Sequence, residues 1–263
     1  MSAAATTISI DSTASTYAHL HDLMSCYELK DLVNVTPDVF IERIRQFAAD
    51  APWGHHHDFG SFCMSGRMCK HHLSMIRTFI DELDAMPLRL DGQRVLDVGC
   101  WSGGTSLLLC AMGAEVVAVE TVPEFAVGAD YLRYAFDIER LHVHPMSLYD
   151  CTTSEFLNHF DYVLVAGVLH HLTDPKLALR ILYNCLRDGG TCLVETNSTE
   201  YEHVSNQSSH REPPCDRMFF TPDNLTTLME DVGFDMRIRP RPIQYRTPEP
   251  RLFGAGRRPV GAT

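Results

Sequence analysis

The segment whose residues best support chemistry runs from Val95 to Gly104 and reads Val-Leu-Asp-Val-Gly-Cys-Trp-Ser-Gly-Gly. An apolar, β-type run at Arg94 to Val98 leads into it, and an apolar stretch of helical character follows it. A glycine turn between a parallel strand and a helix lets a ligand lie against bare backbone beside the helix N-terminus. The segment therefore predicts a nucleotide-binding turn in which Gly99 and Gly103 permit the close approach.

An acidic residue ends the next β-type run. Glu120 follows Glu115 to Val119, and a carboxylate at that point can accept hydrogen bonds from the hydroxyl groups of a ribose. A generic strand, turn and helix with an incidental acid is the alternative interpretation. NAD is a rival cofactor, but the dinucleotide fingerprint places glycine where Trp101 stands, which argues against NAD.

Two histidines follow the fourth β-type run, and an acid lies near the end of the fifth. A histidine can act as a general base at neutral pH because its unperturbed pKa is about 6.5. We predict His171 as the base, with His170 as the other candidate and Glu195 as a group that orients substrate or base. Packing or helix entry is the alternative role for the histidines, and a structural acid is the alternative for Glu195.

The other histidine groups do not predict a metal site. The runs 55–57 and 71–72 are consecutive residues without the H-E-x-x-H spacing, and neighbours in sequence generally point in different directions. Arg217 is a different candidate, since a guanidinium can bind an anionic substrate group through two hydrogen bonds. A plain surface arginine is the alternative.

The elements that must position these residues alternate between strand and helix. This alternation is typical of βαβ units on a parallel sheet and indicates an α/β, doubly wound fold. The pattern further predicts helices over 17–50 and 66–86 with a loop at 51–60 between them, then a late helix over 221–231 and a strand over 234–239. The central strands are expected near 94–98, 115–120, 141–144, 161–166 and 191–196, and the helices between them near 105–112, 123–136 and 175–187.

Length and composition give the domain organisation. A chain of 263 residues with 45% hydrophobic content fits one catalytic domain with a modest appendage. The opening rich in Ser, Thr and Ala predicts a disordered tail over residues 1–15. We expect a helical extension and lid over 16–90 and the cofactor-binding domain over 91–263.

Charge and cysteine content restrict the partners and the compartment. The formal charge of −12 makes nucleic acid an unlikely partner, since nucleic-acid binders usually present a basic face. Nine scattered cysteines are poor material for a disulfide framework and favour the reducing cytoplasm. The chain has neither a signal-peptide pattern nor an apolar run long enough to cross a membrane, so we expect no membrane partner. The sequence leaves the oligomeric state open.

Three segments resemble the first, second and fourth motifs of class I S-adenosylmethionine-dependent methyltransferases: VLDVGCWSGG, EVVAVE and FDYVLVAGVLHHLTDP. Trp53 with its nearby histidines, GVLHH, and RMFFTP at 217–222 resemble the branch that holds the tRNA wobble-uridine carboxymethyltransferases and their relatives. The resemblance covers roughly residues 53 to 240. It implies a Rossmann-like, doubly wound, mostly parallel seven-stranded sheet with an N-terminal helical extension, and S-adenosylmethionine as the cofactor.

The resemblance also implies roles for single residues. It places Asp97 and Gly99 near the methionine moiety, Glu120 on the ribose and Ser147 with Leu148 near the adenine, while Ala166 and Gly167 offer backbone to the methionyl end. Trp101 stands where the class most often has glycine, and Gly103 belongs to the same loop. Trp53, His57 and Phe59 become lid or substrate residues, with a solvated loop as the alternative.

The sequence is compatible with three candidate functions. We expect a methyltransferase that acts on a small-molecule acceptor, at an oxygen atom. A tRNA-modifying methyl- or carboxymethyltransferase is the first alternative, although His170 stands where those enzymes usually have tyrosine. A non-catalytic protein that binds S-adenosylmethionine as a regulator is the second, and the retained GVLHH segment argues mildly against it.

Overall fold

The computed structural model describes residues 53–58, 63–135, 138–198, 207–208, 216–244 and 250–261. The predicted tail over 1–15, the predicted helix over 17–50 and Phe59 lie outside the described residues. The elements in chain order are β1 (His57–Asp58), β2 (Cys63–Met64), α1 (His71–Arg77), β3 (Arg94–Val98), α2 (Gly104–Ala111), β4 (Glu115–Val119), α3 (Pro123–Ala135), β5 (Leu141–His144), β6 (Phe160–Ala166), α4 (Pro175–Cys185), β7 (Leu186–Asn197), β8 (Gln207–Ser208), β9 (Asp216–Arg217), α5 (Pro222–Val232), β10 (Asp235–Ile243) and β11 (Arg251–Arg257).

One seven-stranded sheet has the strand order β10-β11-β7-β6-β3-β4-β5. The pairs β3 with β6, β6 with β7, and β4 with β5 are parallel. The two C-terminal strands form an antiparallel hairpin, and β11 also pairs antiparallel with β7. The structure therefore confirms the predicted Rossmann-like, mostly parallel seven-stranded sheet.

The described residues group into two compact units. The described residues of the first unit are 53–58, 63–77, 88–92, 100–135 and 138–146, and they contain β1, β2, α1, α2, β4, α3 and β5. Every residue of α2 is buried, because this short helix consists of small and apolar residues and carries no charged side chain. In register, β4 and β5 pair from Val116 with Leu141 to Val119 with His144.

The second unit draws on Thr78–Pro87, Gln93–Gly99 and Ser147–Thr263. It contains β3, β6, β7, β10 and β11 with the helices α4 and α5. Both helices begin with a side-chain cap followed by proline: Asp174 accepts the N–H of Leu177, and Thr221 accepts the N–H of Asn224.

The predicted continuous helix over 66–86 is wrong. Residues 67–70 form turns, α1 covers only 71–77, and a π-helical turn follows at Thr78–Glu82. The backbone N–H groups of Arg67 and Met68 donate instead to the carbonyl oxygens of Trp53 and Gly54, at 3.0 and 2.9 Å. These two N–H groups therefore bond to another segment, and the helix begins only after them.

The sequence pattern missed β11 and placed the start of β7 near 191, whereas β7 begins directly after α4. Two glycines interrupt the apolar pattern of β11, and both are required by packing. A Cβ at Gly254 would lie 2.9 Å from the Pro240 ring, and one at Gly256 would lie 2.9 Å from Cε of Met229. The close approach of neighbouring side chains explains why this strand carries a weak strand signal.

Candidate functional site

The predicted nucleotide-binding turn has an unusual backbone. Gly99, Trp101 and Gly103 all have positive φ, at 70°, 50° and 81°. A Cβ at Gly99 would lie 2.4 Å from Cγ2 of Val168, and a Cβ at Gly103 would lie 3.0 Å from Cβ of Ala129. The two glycines are therefore required by backbone conformation and by packing of the chain itself, as well as by any ligand that approaches the turn.

Trp101 is a bulky residue in the left-handed region, which is strained for such a side chain. Its N–H donates to Oε2 of Glu120 at 3.0 Å. Its ring packs edge-on against His55 and Phe125, with centroid separations of 5.4 and 5.7 Å. Its buried Nε1 has no hydrogen-bond partner among the described residues. Neighbours on both sides thus hold the strained residue in place.

Glu120 lies just beyond β4 and is 7% exposed. Its Oε1 accepts the N–H of Val122 at 2.9 Å, and its Oε2 accepts the N–H of Trp101 at 3.0 Å. A carboxylate offers about four lone-pair positions, so two of them remain for other donors. Glu120 therefore fits the predicted contact with ribose hydroxyl groups, and the contact itself stays a prediction.

A segment that precedes the turn by almost fifty residues contacts it directly. The N–H groups of Gly54 and His55 both donate to Oγ of Ser102, at 3.1 and 3.0 Å. In return, the N–H of Gly104 donates to Nδ1 of His55 at 3.2 Å. Neither Ser102 nor His55 was predicted as a site residue, because no local pattern indicates a contact over this sequence distance.

Trp53 and His57, the predicted substrate residues of this segment, are buried at 8% and 1% exposure. Their rings meet edge-on with centroids 5.5 Å apart. The Trp53 ring also covers Gly128 of α3, where a Cβ would lie 3.6 Å from the ring. The structure thus makes both residues part of the packing of the first unit, and their role toward a substrate stays a prediction.

The buried histidines of the first unit are neutral at physiological pH. Burial, with a smaller contribution from neighbouring histidines, lowers the pKa of His55 and of His57 to about 3. Burial also lowers the pKa of His72 well below the ordinary value, again with help from its histidine neighbours. A neutral His55 that accepts at Nδ1 carries its proton on Nε2, so the hydrogen bond from Gly104 fixes its tautomer.

Replacing Gly54 by alanine is expected to destabilise the fold by about 2 kcal/mol, as overpacking of a core does. The added Cβ would lie 2.1 Å from the Trp101 ring. Urea unfolding measures the change, and Gly128→Ala is the matched control. The Cβ at Gly128 meets Trp53 at an ordinary 3.6 Å, and alanine suits a helix interior better than glycine. Equal stability of Gly54→Ala and the parent would contradict the close packing.

The two predicted catalytic histidines of the second unit differ in their exposure to solvent. They lie in a 3-10 helix, Leu169–His171, that follows β6. His170 is 4% exposed, and its Nδ1 lies 3.2 Å from Oγ1 of Thr196. Its carbonyl oxygen accepts the N–H of Met218 at 2.9 Å. His171 is exposed, and its ring lies against that of His170 with centroids 4.2 Å apart.

The remaining predicted cofactor residues of the second unit lie at or near the ends of its elements. Gly167 has a φ of 70°, and a Cβ there would meet nothing closer than an oxygen of Glu195 at 4.0 Å. That open space allows a ligand to approach the backbone beyond β6. Ala166 ends β6, Asp97 is 3% exposed in β3, and Ser147 caps the short 3-10 helix that begins at the buried Leu148.

Glu195, the predicted orienting acid, is bound by an arginine that the sequence did not single out. Arg251 donates from Nη2 to Oε2 at 3.0 Å and from Nε to Oε1, and it also donates to the side chain of Asn197. Glu195 is 1% exposed, while the Arg251 side chain is 14% exposed. A carboxylate held at both oxygens favours the orienting or structural role over direct proton transfer.

The remaining predictions concern Arg217, a metal site and a membrane-spanning helix. Arg217 pairs through its backbone with Gln207, but its side chain is not described, so its role stays a prediction. In the part of the chain that the structure describes, no group of three His, Cys, Asp or Glu side chains is arranged to bind a metal ion. None of the described helices combines the length and the apolar character that crossing a membrane requires.

A family model described as a methyltransferase domain matches residues 70–237, more than half of the chain. Among curated proteins, a ubiquinone biosynthesis O-methyltransferase of Dinoroseobacter shibae is 30% identical over 165 residues, which cover 57% of this chain and 62% of the relative. A tRNA U34 carboxymethyltransferase of Alteromonas mediterranea is 30% identical over 155 residues, which cover 56% of this chain and 46% of the relative. Each match spans less than two thirds of the relative's own length.

Among solved structures, the N-terminal domain of EvdMO1, determined with SAH and D-fucose, has a TM-score of 0.62 and 18% identity. The match covers 83% of this chain and 97% of that domain. At this identity the similarity supports the fold alone, and it agrees with the seven-stranded sheet described above.

Proposed function

Because the chain belongs to the methyltransferase domain family, we propose that it transfers the methyl group of S-adenosylmethionine to an oxygen atom of a small-molecule acceptor. Family membership makes the chain an S-adenosylmethionine-dependent methyltransferase and favours an enzyme over a regulator. The observation that carries the proposal is the glycine turn tied to Glu120 through the N–H of Trp101. The acceptor class follows the ubiquinone O-methyltransferase relative and the net charge of −12.

The residues present fit the cofactor. When bound, S-adenosylmethionine would supply an activated methyl group: a nucleophile would attack the methyl carbon in line with the C–S bond, and the sulfur would leave with the bonding electrons as the neutral thioether S-adenosylhomocysteine. Glu120 keeps two lone-pair positions for the ribose, and the turn that contains Gly99, Trp101 and Gly103 is bonded to it through the N–H of Trp101. We assign the methionine end to Asp97, Ala166 and Gly167, and the adenine to Ser147 and Leu148. These assignments rest on the family resemblance.

The transfer to oxygen also requires removal of the acceptor's proton. We propose that His171 accepts this proton, because it is exposed and follows the carboxyl end of β6, where ligands of α/β sheets bind. His170 is buried against Thr196 and suits a positioning role beside it. Glu195, held by Arg251, would orient this region from β7. Trp53, His57 and Arg217 remain our candidates for contacts with the acceptor.

Replacing His171 by alanine is expected to lower turnover by about 10²-fold or more, since general-base catalysis contributes about 10²–10⁴-fold. Steady-state methyl transfer between pH 6 and 9 measures the effect. His142→Ala is the matched control, because His142 is an exposed histidine of β5. Unchanged turnover of His171→Ala at every pH would exclude the base, and a loss only in His170→Ala would move the role to that residue.

A tRNA substrate is the second candidate, since the Alteromonas relative is named a tRNA U34 carboxymethyltransferase. The charge of −12 argues against it, because contact with phosphates requires a basic surface. Labelled methyl incorporation from S-adenosylmethionine into a metabolite extract, compared with total tRNA, decides between the two. Incorporation into tRNA alone would overturn the small-molecule proposal.

We also propose the reducing cytoplasm as the compartment. Cys69, Cys151, Cys185 and Cys192 are free thiols, and burial raises the pKa of Cys151 and of Cys185 to about 12. Such thiols are protonated and unreactive, which suits structural residues in a reducing environment.

A further inference from the structure

We propose that the segment Trp53–His57, here called the strap, is a positioning element for the cofactor turn, with His55 and Ser102 as its positioning residues. The strap lies before residue 70, where the match to the methyltransferase domain begins. The match therefore does not include the strap. The inference rests on the proposed function in one respect, since it takes the turn at Cys100–Gly104 to bind S-adenosylmethionine.

Ser102 joins the turn to the strap at two points. Its Oγ accepts the N–H of Gly54 at 3.1 Å and the N–H of His55 at 3.0 Å. Ser102 is 2% exposed, so water does not replace these bonds readily. Because the two donors are consecutive amides of a single segment, the hydroxyl fixes both the position and the direction of the strap against the turn.

His55 makes the reciprocal contact. The N–H groups of the first turn of a helix have no partner within the helix, and Gly104 opens α2. The N–H of Gly104 donates to Nδ1 of His55 at 3.2 Å. His55 is 9% exposed and its imidazole stays neutral, so the lone pair on Nδ1 remains available as the acceptor. A side chain of the strap thus caps the helix that follows the cofactor turn.

Trp101 explains why this turn requires an external support. A bulky residue at a φ of 50° lies in the left-handed region of the backbone, where such side chains are strained. The strap provides a complementary surface for its ring: Gly54 has no side chain where the ring lies, and His55 packs edge-on at 5.4 Å. The strap therefore stabilises a conformation that this sequence would otherwise disfavour.

The strap is itself anchored on its other side. The carbonyl oxygen of Trp53 accepts the N–H of Arg67 at 3.0 Å, and the N–H of His56 donates to the carbonyl oxygen of Cys69 at 2.9 Å. The Trp53 ring lies over Gly128 of α3. A segment held on both sides can fix the turn before the cofactor arrives. Such preorganisation raises affinity, because less conformational freedom is lost on binding.

Calorimetry with S-adenosylhomocysteine tests the proposal on the full chain. His55→Ala is expected to weaken binding by about tenfold, the equivalent of one lost hydrogen bond. His55→Asn should stay within about threefold of the parent, because the amide oxygen of asparagine can take the place of Nδ1 as acceptor. His142→Ala, an exposed histidine, should leave the affinity unchanged. In turnover assays His55→Ala should raise the KM for S-adenosylmethionine more than it lowers kcat.

Amide hydrogen exchange without ligand provides a second measurement. The N–H groups of Gly54 and His55 should be protected in the parent and should exchange faster in Ser102→Ala, while the amides of β6 keep their protection. Faster exchange throughout the chain would show general unfolding and overturn the local role, as would an unchanged affinity of His55→Ala. Failure of the parent to bind S-adenosylhomocysteine would instead refute the proposed function.

Discussion

Lowering the pH from 7.5 to 5.5 is expected to reduce the free energy of unfolding by roughly 3–4 kcal/mol, because each of three buried histidines contributes about 1 kcal/mol. In the folded chain, burial holds the pKa of His55 and of His57 at about 3 and that of His72 well below 6.5. In the unfolded chain these residues titrate near 6.5. The unfolded state therefore binds more protons below pH 6.5, and stability falls with pH until the folded pKa values are reached.

Urea unfolding at the two pH values measures this loss. His55→Asn removes one of the three groups, so its loss should be smaller than that of the parent by about a third. His142→Ala removes an exposed histidine and should retain the full loss. An unfolding free energy that is equal at pH 7.5 and 5.5 would show that the histidine cluster is not held neutral by the fold.

The part of the site that could be predicted from sequence is the part that local patterns determine. The run before Gly99 is a short apolar stretch typical of a buried strand, and the glycines and Glu120 follow strands at fixed places, so β3, the turn, α2 and Glu120 were correctly located. The strands near 141 and 160 were located for the same reason. In each case a few consecutive residues carry the whole signal.

The contacts that support the site could not be predicted, because they join residues far apart in the chain. His55 and Gly104 are separated by 49 positions, and Arg251 and Glu195 by 56. The histidine run at 55–57 gave no indication that one ring would cap a helix while another would pack against Trp53. Arg251 lies at the start of a glycine-interrupted strand, where the sequence indicated neither the strand nor a partner for the charge.

Replacing Arg251 by methionine is expected to destabilise the fold by about 3–5 kcal/mol, the usual result of removing one partner from a buried ion pair. Glu195 is 1% exposed, so its carboxylate would remain buried without the two hydrogen bonds that now reach both of its oxygens. Urea unfolding at pH 7.5 measures the change. The exposed pair of Lys176 and Asp231 provides the control, since Lys176→Met should cost about 1 kcal/mol or less.

The double variant Arg251→Met with Glu195→Met determines what the pair contributes. Most of the lost stability should return, because an apolar pair of similar volume replaces a buried ion pair at little cost. If turnover returns together with stability, the role of Glu195 is structural. If stability returns and turnover stays low, Glu195 acts on the acceptor or on the histidines that follow β6, and Arg251 holds it in position to do so. A double variant as unstable as Arg251→Met alone would show instead that the site tolerates no apolar replacement, and the destabilisation would then reflect packing rather than an unpaired charge.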